Sequence, residues 1–293
     1  MADWDEDSHP RDDKGRFGGG GGGSSLKEYA AKKTGHEAVV AGYRTSGAAG
    51  GSATGRGKVI QDRENLSNSL SSVKHAIGTL LPKTHTLGDH VRIAKDTLAK
   101  HESGFVENKA LIRSLAPKGA EVEGRVKKLD SAVGKLVRKA AEARDEGKPT
   151  KYTTVAHLQD LTGLRVVAKS VDEVKSTVEN LKKHYKVVGE DNYIDNPNGS
   201  YRSHHLIVRG KDGMDREIQV RTENQHRMAN WSHDTYKPRN AEQREAIKKA
   251  GASIKEYEMK MADHFWQKDN GKTPPPLPPC PPAVKAHFGC LHD

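Results

Sequence analysis

The hydrophobic and polar positions divide the chain into a helical part and a later part that alternates between helices and strands. Over about 58–116, apolar residues recur at helical spacing, and Pro82 and Pro117 interrupt the pattern as helix breakers do. A second amphipathic pattern over 122–144 has apolar residues three and four positions apart. These patterns predict two helical regions before the first strand.

In four short segments the pattern of hydrophobic and polar residues changes to a period of two, which is the period of a β-strand. They are 164–168, 185–188, 206–209 and 217–220. The segment 172–184 predicts a crossover helix, and two further helices are expected over 225–236 and 241–267. This order predicts a mixed β-sheet flanked by helices, in an α+β or α/β domain.

Both ends of the chain differ from this domain in composition. Residues 1–57 contain a glycine run at 18–23 and are expected to form a disordered Gly-rich arm. The sequence TPPPLPPCPP opens a Pro-rich flexible tail at 269–293, which is expected to be extended. A helical N-terminal segment at 58–120 and a folded domain at 121–268 complete the predicted organisation.

The composition of the chain indicates which kinds of partner and which cellular compartment to expect. The net charge of +10 favours polyanionic partners such as nucleotides or RNA. Without an 18-residue apolar run or a signal-peptide pattern, the chain is expected to be soluble, cytoplasmic and without a membrane partner.

The two cysteines, Cys280 and Cys290, lie near the C-terminus, so no disulfide framework is expected in the body of the protein, and a reducing compartment is the default. With His287 and His292 they offer zinc ligands, although their spacing fits no common zinc module.

The segment REIQVRT, residues 216–222, carries the clearest chemical pattern. On a strand, Glu217, Gln219 and Arg221 share one face, and Ile218 and Val220 share the other. An acid, an amide and a guanidinium in a row suit a site for metal ions and phosphates. A solvated sheet face has the same alternation.

Basic residues in GRVKKLDSAVGK form a second pattern. Arg125 opens the string, and Lys127, Ser131 and Lys135 follow four residues apart, which places them on one ridge of the predicted helix. Such a ridge could grip a triphosphate, and a solvated charged face is the alternative.

Two loops add further candidates. Asp160 and Arg165 flank the start of the first predicted strand, where Asp160 suits either a hard cation or a loop cap. In NPNGSYRSHH, Tyr201 offers a face on which a base can stack, or it is a half-buried strand residue. His205 ends this loop, and NWSHDTYK follows at 230–237.

Taken together, these five segments resemble the synthetase domain of the RelA/SpoT family, especially its small stand-alone synthetases. The resemblance runs from about Arg125 to Lys237 and implies a nucleotidyltransferase-like fold. It also implies a pyrophosphotransferase that moves the β,γ-pyrophosphate of ATP to a ribose 3′-hydroxyl. Mg²⁺ is the implied cofactor.

The resemblance implies a role for each matched residue. ATP binding is implied for Arg125, Lys127, Ser131, Lys135 and Arg165. Acceptor binding is implied for Tyr201, His205, Gln219 and Arg221. Asp160 and Glu217 are implied as the catalytic pair and metal ligands, with Glu217 also activating the acceptor hydroxyl. The tyrosine loop departs from the family pattern at Asn198, Ser200 and His204, so the departures fall on the acceptor side.

Three functions remain open at the level of sequence. The first is synthesis of guanosine tetra- or pentaphosphate from ATP and GDP or GTP. The second is a toxin that pyrophosphorylates the 3′ end of tRNA and would be restrained by an antitoxin. The third is an inactive phage virion-associated protein, since HPRDDKGRF at 9–17 is similar to short tags near the termini of such proteins. A homo-oligomer is compatible with each. His233 and Asp234 form an HD doublet, but their position within the synthetase-like region argues against a hydrolase domain.

Overall fold

The computed structural model describes residues 81, 85–236, 238 and 240–291, which fall into two compact units. One unit contains residues 103–126 and 159–291, and the other contains the described residues up to 102 together with 127–158. The chain thus leaves the first unit after 126 and returns at 159. The predicted division between a helical segment at 58–120 and a folded domain at 121–268 stays a prediction. The expected arm at 1–57, Lys237 and His292 lie outside the described residues.

The described residues form five strands and seven helices of more than one turn. The strands are β1 (Glu121–Val126), β2 (Thr162–Ala168), β3 (Lys186–Asn192), β4 (His204–Arg209) and β5 (Asp215–Thr222). The helices are α1 (Leu87–Ser103), α2 (Phe105–Leu115), α3 (Leu129–Asp145), α4 (Val171–His184), α5 (Glu223–Tyr236), α6 (Ala241–Asp269) and α7 (Pro282–His287). In this part of the chain, none of the helices combines the length and the hydropathy needed to cross a membrane.

The strands form one mixed sheet in the order β1-β2-β5-β4-β3. β2 and β5 are parallel, and the other three pairings are antiparallel. The pairings make β3 parallel to β2, and parallel strands need a crossover connection, which α4 provides. Its N-terminus is capped by Ser170, whose hydroxyl accepts a hydrogen bond from the Glu173 N–H at 3.2 Å. The predicted α+β architecture is therefore confirmed.

One face of the sheet is apolar and carries the core of the first unit. Leu164 on β2 and Ile218 and Val220 on β5 are fully buried on this face. They pack in one cluster with Ile112 of α2 and Val178 of α4. Because side chains alternate along a strand, this packing turns Glu217, Gln219 and Arg221 to the opposite face.

The prediction of a helix over 122–144 is wrong in its first part, where the chain forms β1. Val122 is buried against the core, and Gly124 lies opposite Leu164 in the register with β2. A Cβ at Gly124 would lie 2.6 Å from a methyl carbon of Leu164, so only glycine allows this close pairing. The helix starts later, at Leu129, after Lys128 in an extended conformation.

The C-terminal segment is packed, which differs from the expected flexible tail at 269–293. Val284 of α7 is fully buried, and α7 packs with Met261 and Phe265 of α6. The Tyr257 hydroxyl donates to the Leu291 carbonyl at 3.0 Å. Apolar residues placed between the prolines explain this packing, because they give the segment a surface to bury.

A disulfide joins Cys280 and Cys290 in this segment. It corrects the expectation of reduced cysteines, although it lies outside the sheet and does not staple the body of the fold. Since both thiols are consumed, Cys280 and Cys290 are not zinc ligands in this state, and the zinc alternative with His287 does not hold.

Candidate active site

The polar face of β5 is buried, which excludes the solvated-face interpretation of REIQVRT. Glu217 is 0% exposed, and Gln219 and Arg221 are each 1% exposed. The Gln219 Nε2 amide donates to Glu217 Oε2 at 3.1 Å. Buried charged groups are costly unless they are paired or have a functional use, so this face is unusual for a structural sheet.

The neighbouring strands bring further polar residues alongside Gln219. In the sheet register Arg165 on β2 and His205 on β4 both pair with it, one on each side. The Arg165 Nη1 donates to the Glu123 carboxylate of β1 at 3.0 Å. His205 Nδ1 lies 3.6 Å from Glu217 Oε1, within reach of an electrostatic contact. A continuous row of polar side chains therefore crosses four strands.

His226 at the start of α5 connects the two arginines of this face. Its Nδ1 atom lies 3.0 Å from Arg221 Nη2 and 3.4 Å from Arg165 Nη1. Burial, and then the charges of Arg221 and Arg165, lower the pKa of His226 from 6.5 to about 3. The ring is therefore neutral at neutral pH, and Nδ1 accepts from both guanidinium groups.

The same environment acts on the arginines. Burial, and then the charge of Arg221, lower the pKa of Arg165 to about 9, and burial lowers the pKa of Arg221. Both guanidinium groups remain charged at neutral pH, so the face holds two cations that can meet phosphates. Two of their partners, His226 and Glu123, were missed by sequence reasoning. The signal for His226 was its position five residues after Arg221. Glu123 could be identified as a partner only if 121–126 was recognised as the strand β1.

Tyr201 lies at the open end of this face, in the loop between β3 and β4. Its hydroxyl is 2.7 Å from His205 Nε2, and its half-buried ring meets Tyr193 edge to face at 5.7 Å between ring centres. The loop turns at Gly199, whose φ of 59° lies in the left-handed region. The Tyr201 ring also meets the His205 ring edge to face, at 5.8 Å between ring centres.

Asp160 lies two residues before β2 and is buried. The Gln159 amide donates to the Asp215 carboxylate at 3.1 Å, which ties the start of β2 to the start of β5. Because β2 and β5 are parallel and Gly163 pairs with Glu217, Asp160 and Glu217 lie at the same end of adjacent strands.

This donor set fits Mg²⁺, which is usually held by one or two carboxylates and completed by substrate phosphates and water. Within the described part of the chain no cluster of three or more His, Cys, Asp or Glu side chains could hold a metal by itself. Asp160 and Glu217 are two carboxylates of the kind that Mg²⁺ uses.

The predicted ATP ligands divide between the two units. Arg125 belongs to β1 and pairs with Gly163, so the prediction that it lies on a helix is wrong. Lys127 precedes α3 and is buried, whereas Ser131 and Lys135 lie on α3. The predicted three-residue ridge is thus reduced to Ser131 and Lys135. Lys127, Ser131 and Lys135 all belong to the second unit.

Comparison with known proteins shows which proteins the region around the polar face is similar to. Residues 124–241 match the profile of the region found in RelA / SpoT proteins. The GTP pyrophosphokinase YwaC of Bacillus subtilis (strain 168) is 33% identical over 89 residues, which are 29% of this chain and 40% of YwaC. The GTP pyrophosphokinase YjbM of the same organism is 32% identical over 111 residues, which are 34% of this chain and 48% of YjbM.

The chain therefore spans less than half the length of these two curated relatives. Among solved structures, small alarmone synthetase 1 from Bacillus subtilis bound to its product pppGpp gives a TM-score of 0.45 at 24% identity, over 60% of this chain and 91% of that one. Residues 124–241 of the chain are therefore similar to the region found in RelA / SpoT proteins.

Proposed function

We propose that this chain is a pyrophosphotransferase that moves the β,γ-pyrophosphate of ATP to the ribose 3′-hydroxyl of GDP or GTP and releases AMP. The observation that carries this proposal is the buried polar face of the sheet, on which Glu217 lies among Gln219, His205 and two guanidinium groups. Two relatives named as GTP pyrophosphokinases support the same reaction class.

The reaction needs charge neutralisation and in-line positioning more than covalent chemistry. The 3′-oxygen forms a bond to the β-phosphorus, and the bond from that phosphorus to the α,β-bridging oxygen breaks, so AMP leaves. Asp160 and Glu217 would hold Mg²⁺, which when bound would neutralise charge on the transferring phosphates. Glu217 would accept the proton of the 3′-hydroxyl, and its neighbour His205 would orient that carboxylate.

Donor and acceptor would occupy different parts of the polar face. On the sheet, Arg125 and Arg165 would flank ATP. For Lys127, Ser131 and Lys135 of the second unit, phosphate binding is proposed from the resemblance alone. Tyr201 would stack the acceptor base, and the contact between its hydroxyl and His205 would fix the position of the ring. Gln219 and Arg221 would bind the acceptor beside Glu217. His226 keeps both arginines in place as a neutral acceptor.

Transfer to the 3′ end of tRNA is the second candidate. The net charge of +10 favours it, and so does the departure of the tyrosine loop from the family pattern at Asn198. A toxin of this type would require an antitoxin as partner. The virion-associated alternative finds less support, because an inactive binding protein has no need to bury Asp160 and Glu217 at the same end of adjacent strands.

Acceptor competition tests the proposal. The purified full chain is incubated with ATP labelled at the γ-phosphate, Mg²⁺, and GDP, GTP or deacylated tRNA. We expect label on the guanine nucleotide. Label on tRNA alone would replace the proposal with the toxin, and label on neither acceptor would overturn transferase activity towards both.

A further inference from the structure

Helix α6 places a carboxyl group beside the loop that carries Tyr201. Glu258 is half-buried, and its Oε1 accepts a hydrogen bond from the hydroxyl of Ser200, the residue before Tyr201. Ser200 is one of the positions at which the loop departs from the family pattern. The contact joins residues 58 positions apart in the sequence.

A second contact fixes the loop on the other side of Tyr201. The Arg202 guanidinium carbon lies 4.0 Å from the centre of the Trp266 ring on α6, and Arg202 Nη1 donates to the Ile194 carbonyl at 2.8 Å. Residues 200 and 202 thus both contact α6. The tyrosine between them is held at a fixed position relative to Glu258.

Tyr236 shows that this carboxyl belongs to the surroundings of Tyr201. Partial burial raises the pKa of the Tyr236 phenol, and the nearby Tyr201 and Glu258 raise it further. Tyr236 therefore lies close enough to both Tyr201 and Glu258 to interact electrostatically with each, at the end of the polar face where the acceptor base would stack.

The carboxyl group of Glu258 has acceptor capacity to spare. Within the described ranges, Ser200 is its hydrogen-bonding partner, and a carboxylate can accept about four hydrogen bonds. Burial raises the pKa of Glu258, and the Ser200 hydrogen bond offsets part of that rise. A carboxylate in such a place is stabilised by a ligand that brings N–H donors.

Guanine brings that set of donors. Its Watson–Crick edge carries N1–H and the exocyclic N2 amino group side by side, and a carboxylate can accept from both. Adenine presents an unprotonated N1 at the same place, and its lone pair would face the negative charge. The 3′-terminal adenosine of tRNA would be disfavoured for the same reason.

We propose that Glu258 is a specificity-determining residue that binds the Watson–Crick edge of an acceptor guanine stacked on Tyr201. Ser200 orients the carboxylate, and α6 sets its distance from the stacked base. The inference rests on the proposed transfer to a guanine nucleotide and adds the group that selects the base.

The test compares GDP with IDP, which lacks the 2-amino group, in the wild type and in Glu258→Gln. We expect the wild type to use GDP with a kcat/KM about 10 to 100 times higher than IDP, the range for one hydrogen bond to a charged group. Glu258→Gln is expected to lower kcat/KM for GDP by a similar factor and to change that for IDP by less than about threefold. The KM for ATP should stay unchanged.

A matched control comes from the same helix. Glu256 is exposed and pairs with Lys260 at 2.6 Å, so Glu256→Gln should leave the use of both acceptors unchanged. If Glu258→Gln unfolds at a much lower temperature than the wild type, Glu258→Asp replaces it. The aspartate keeps the charge but withdraws it by one methylene, and it should also reduce the use of GDP more than that of IDP.

Two other outcomes overturn the inference in distinguishable ways. If Glu258→Gln lowers kcat/KM for GDP and for IDP by the same factor, and Ser200→Ala has the same effect, Glu258 only anchors the loop. The proposed reaction then stands. If the wild type transfers pyrophosphate to no guanine nucleotide, the proposed function fails and the inference fails with it.

Discussion

At the scale of single residues, the notable feature is a neutral histidine between two buried guanidinium groups. His226 accepts from Arg165 and Arg221, and Glu123 supplies the anion on the far side of Arg165. Removing one partner from such a group leaves a buried charge uncompensated, which costs more than the pair contributes. The arrangement preserves positive charge where phosphates are expected to bind.

His226 predicts a specific dependence of stability on pH. Its pKa is about 3 in the folded state and 6.5 ordinarily, so between these values the unfolded chain binds a proton that the folded chain does not. The stability contribution of His226 is therefore full above pH 6.5 and is lost as pH falls towards 3. Urea unfolding at pH 7, 6 and 5 should show a steeper loss for the wild type than for His226→Asn. The extra slope should be a fraction of about 1.4 kcal/mol per pH unit, because the ring is partly exposed. Equal slopes would contradict the neutral histidine.

At the scale of elements, the sheet register brings the candidate residues together, and this decided what the sequence could predict. The alternation of REIQVRT was enough to assign Glu217, Gln219 and Arg221 to one face. Their burial and their partners could not be predicted, because they depend on which strands lie beside β5. β1 was missed because Val122, Val126 and Leu129 also fit a helical spacing, and a single glycine such as Gly124 weakens a helix without indicating a strand.

Gly124 gives a test of the β1 pairing. A Cβ there would lie 2.6 Å from a Leu164 methyl carbon and 3.0 Å from the Gly163 carbonyl oxygen, so Gly124→Ala should lower the free energy of unfolding by about 1–3 kcal/mol. The control is Gly251→Ala in α6, where no atom lies within 4 Å and the helix should gain up to about 1 kcal/mol. Thermal and urea unfolding of both variants measure the difference. A neutral Gly124→Ala would mean that β1 and β2 do not pair this closely.

At the scale of the whole molecule, the packing of the C-terminal segment departs most from expectation. Its composition indicated a flexible tail, yet Val284 and Leu291 are buried in a cluster with α6, and the Trp231 indole donates to the Gly289 carbonyl at 2.7 Å. A high proline content predicts an extended backbone, but it does not indicate which surface the isolated apolar residues of the segment pack against. The segment packs on α5 and α6, and α6 also contacts the tyrosine loop.

The disulfide in this segment should contribute to stability. It closes a loop between residues 10 apart, for which the chain-entropy estimate is about 2–3 kcal/mol. Cys280→Ser should therefore lower the melting temperature, and Cys290→Ser should do so by the same amount. Adding a reductant should lower the melting temperature of the wild type and leave that of both variants unchanged. A wild type that is insensitive to reductant would contradict a stabilising disulfide.

Pyrophosphate transfer at Glu217 is the central proposal, and one measurement tests it most directly. In a single reaction with γ-labelled ATP, GDP and Mg²⁺, chromatography separates AMP from labelled guanine nucleotide. We expect equal amounts of AMP and labelled guanine nucleotide, and about 10²–10³-fold slower formation of both by Glu217→Gln, with the KM for each substrate within a few fold. ADP in place of AMP, label that stays off the guanine nucleotide, or a Glu217→Gln variant as fast as the wild type would contradict it.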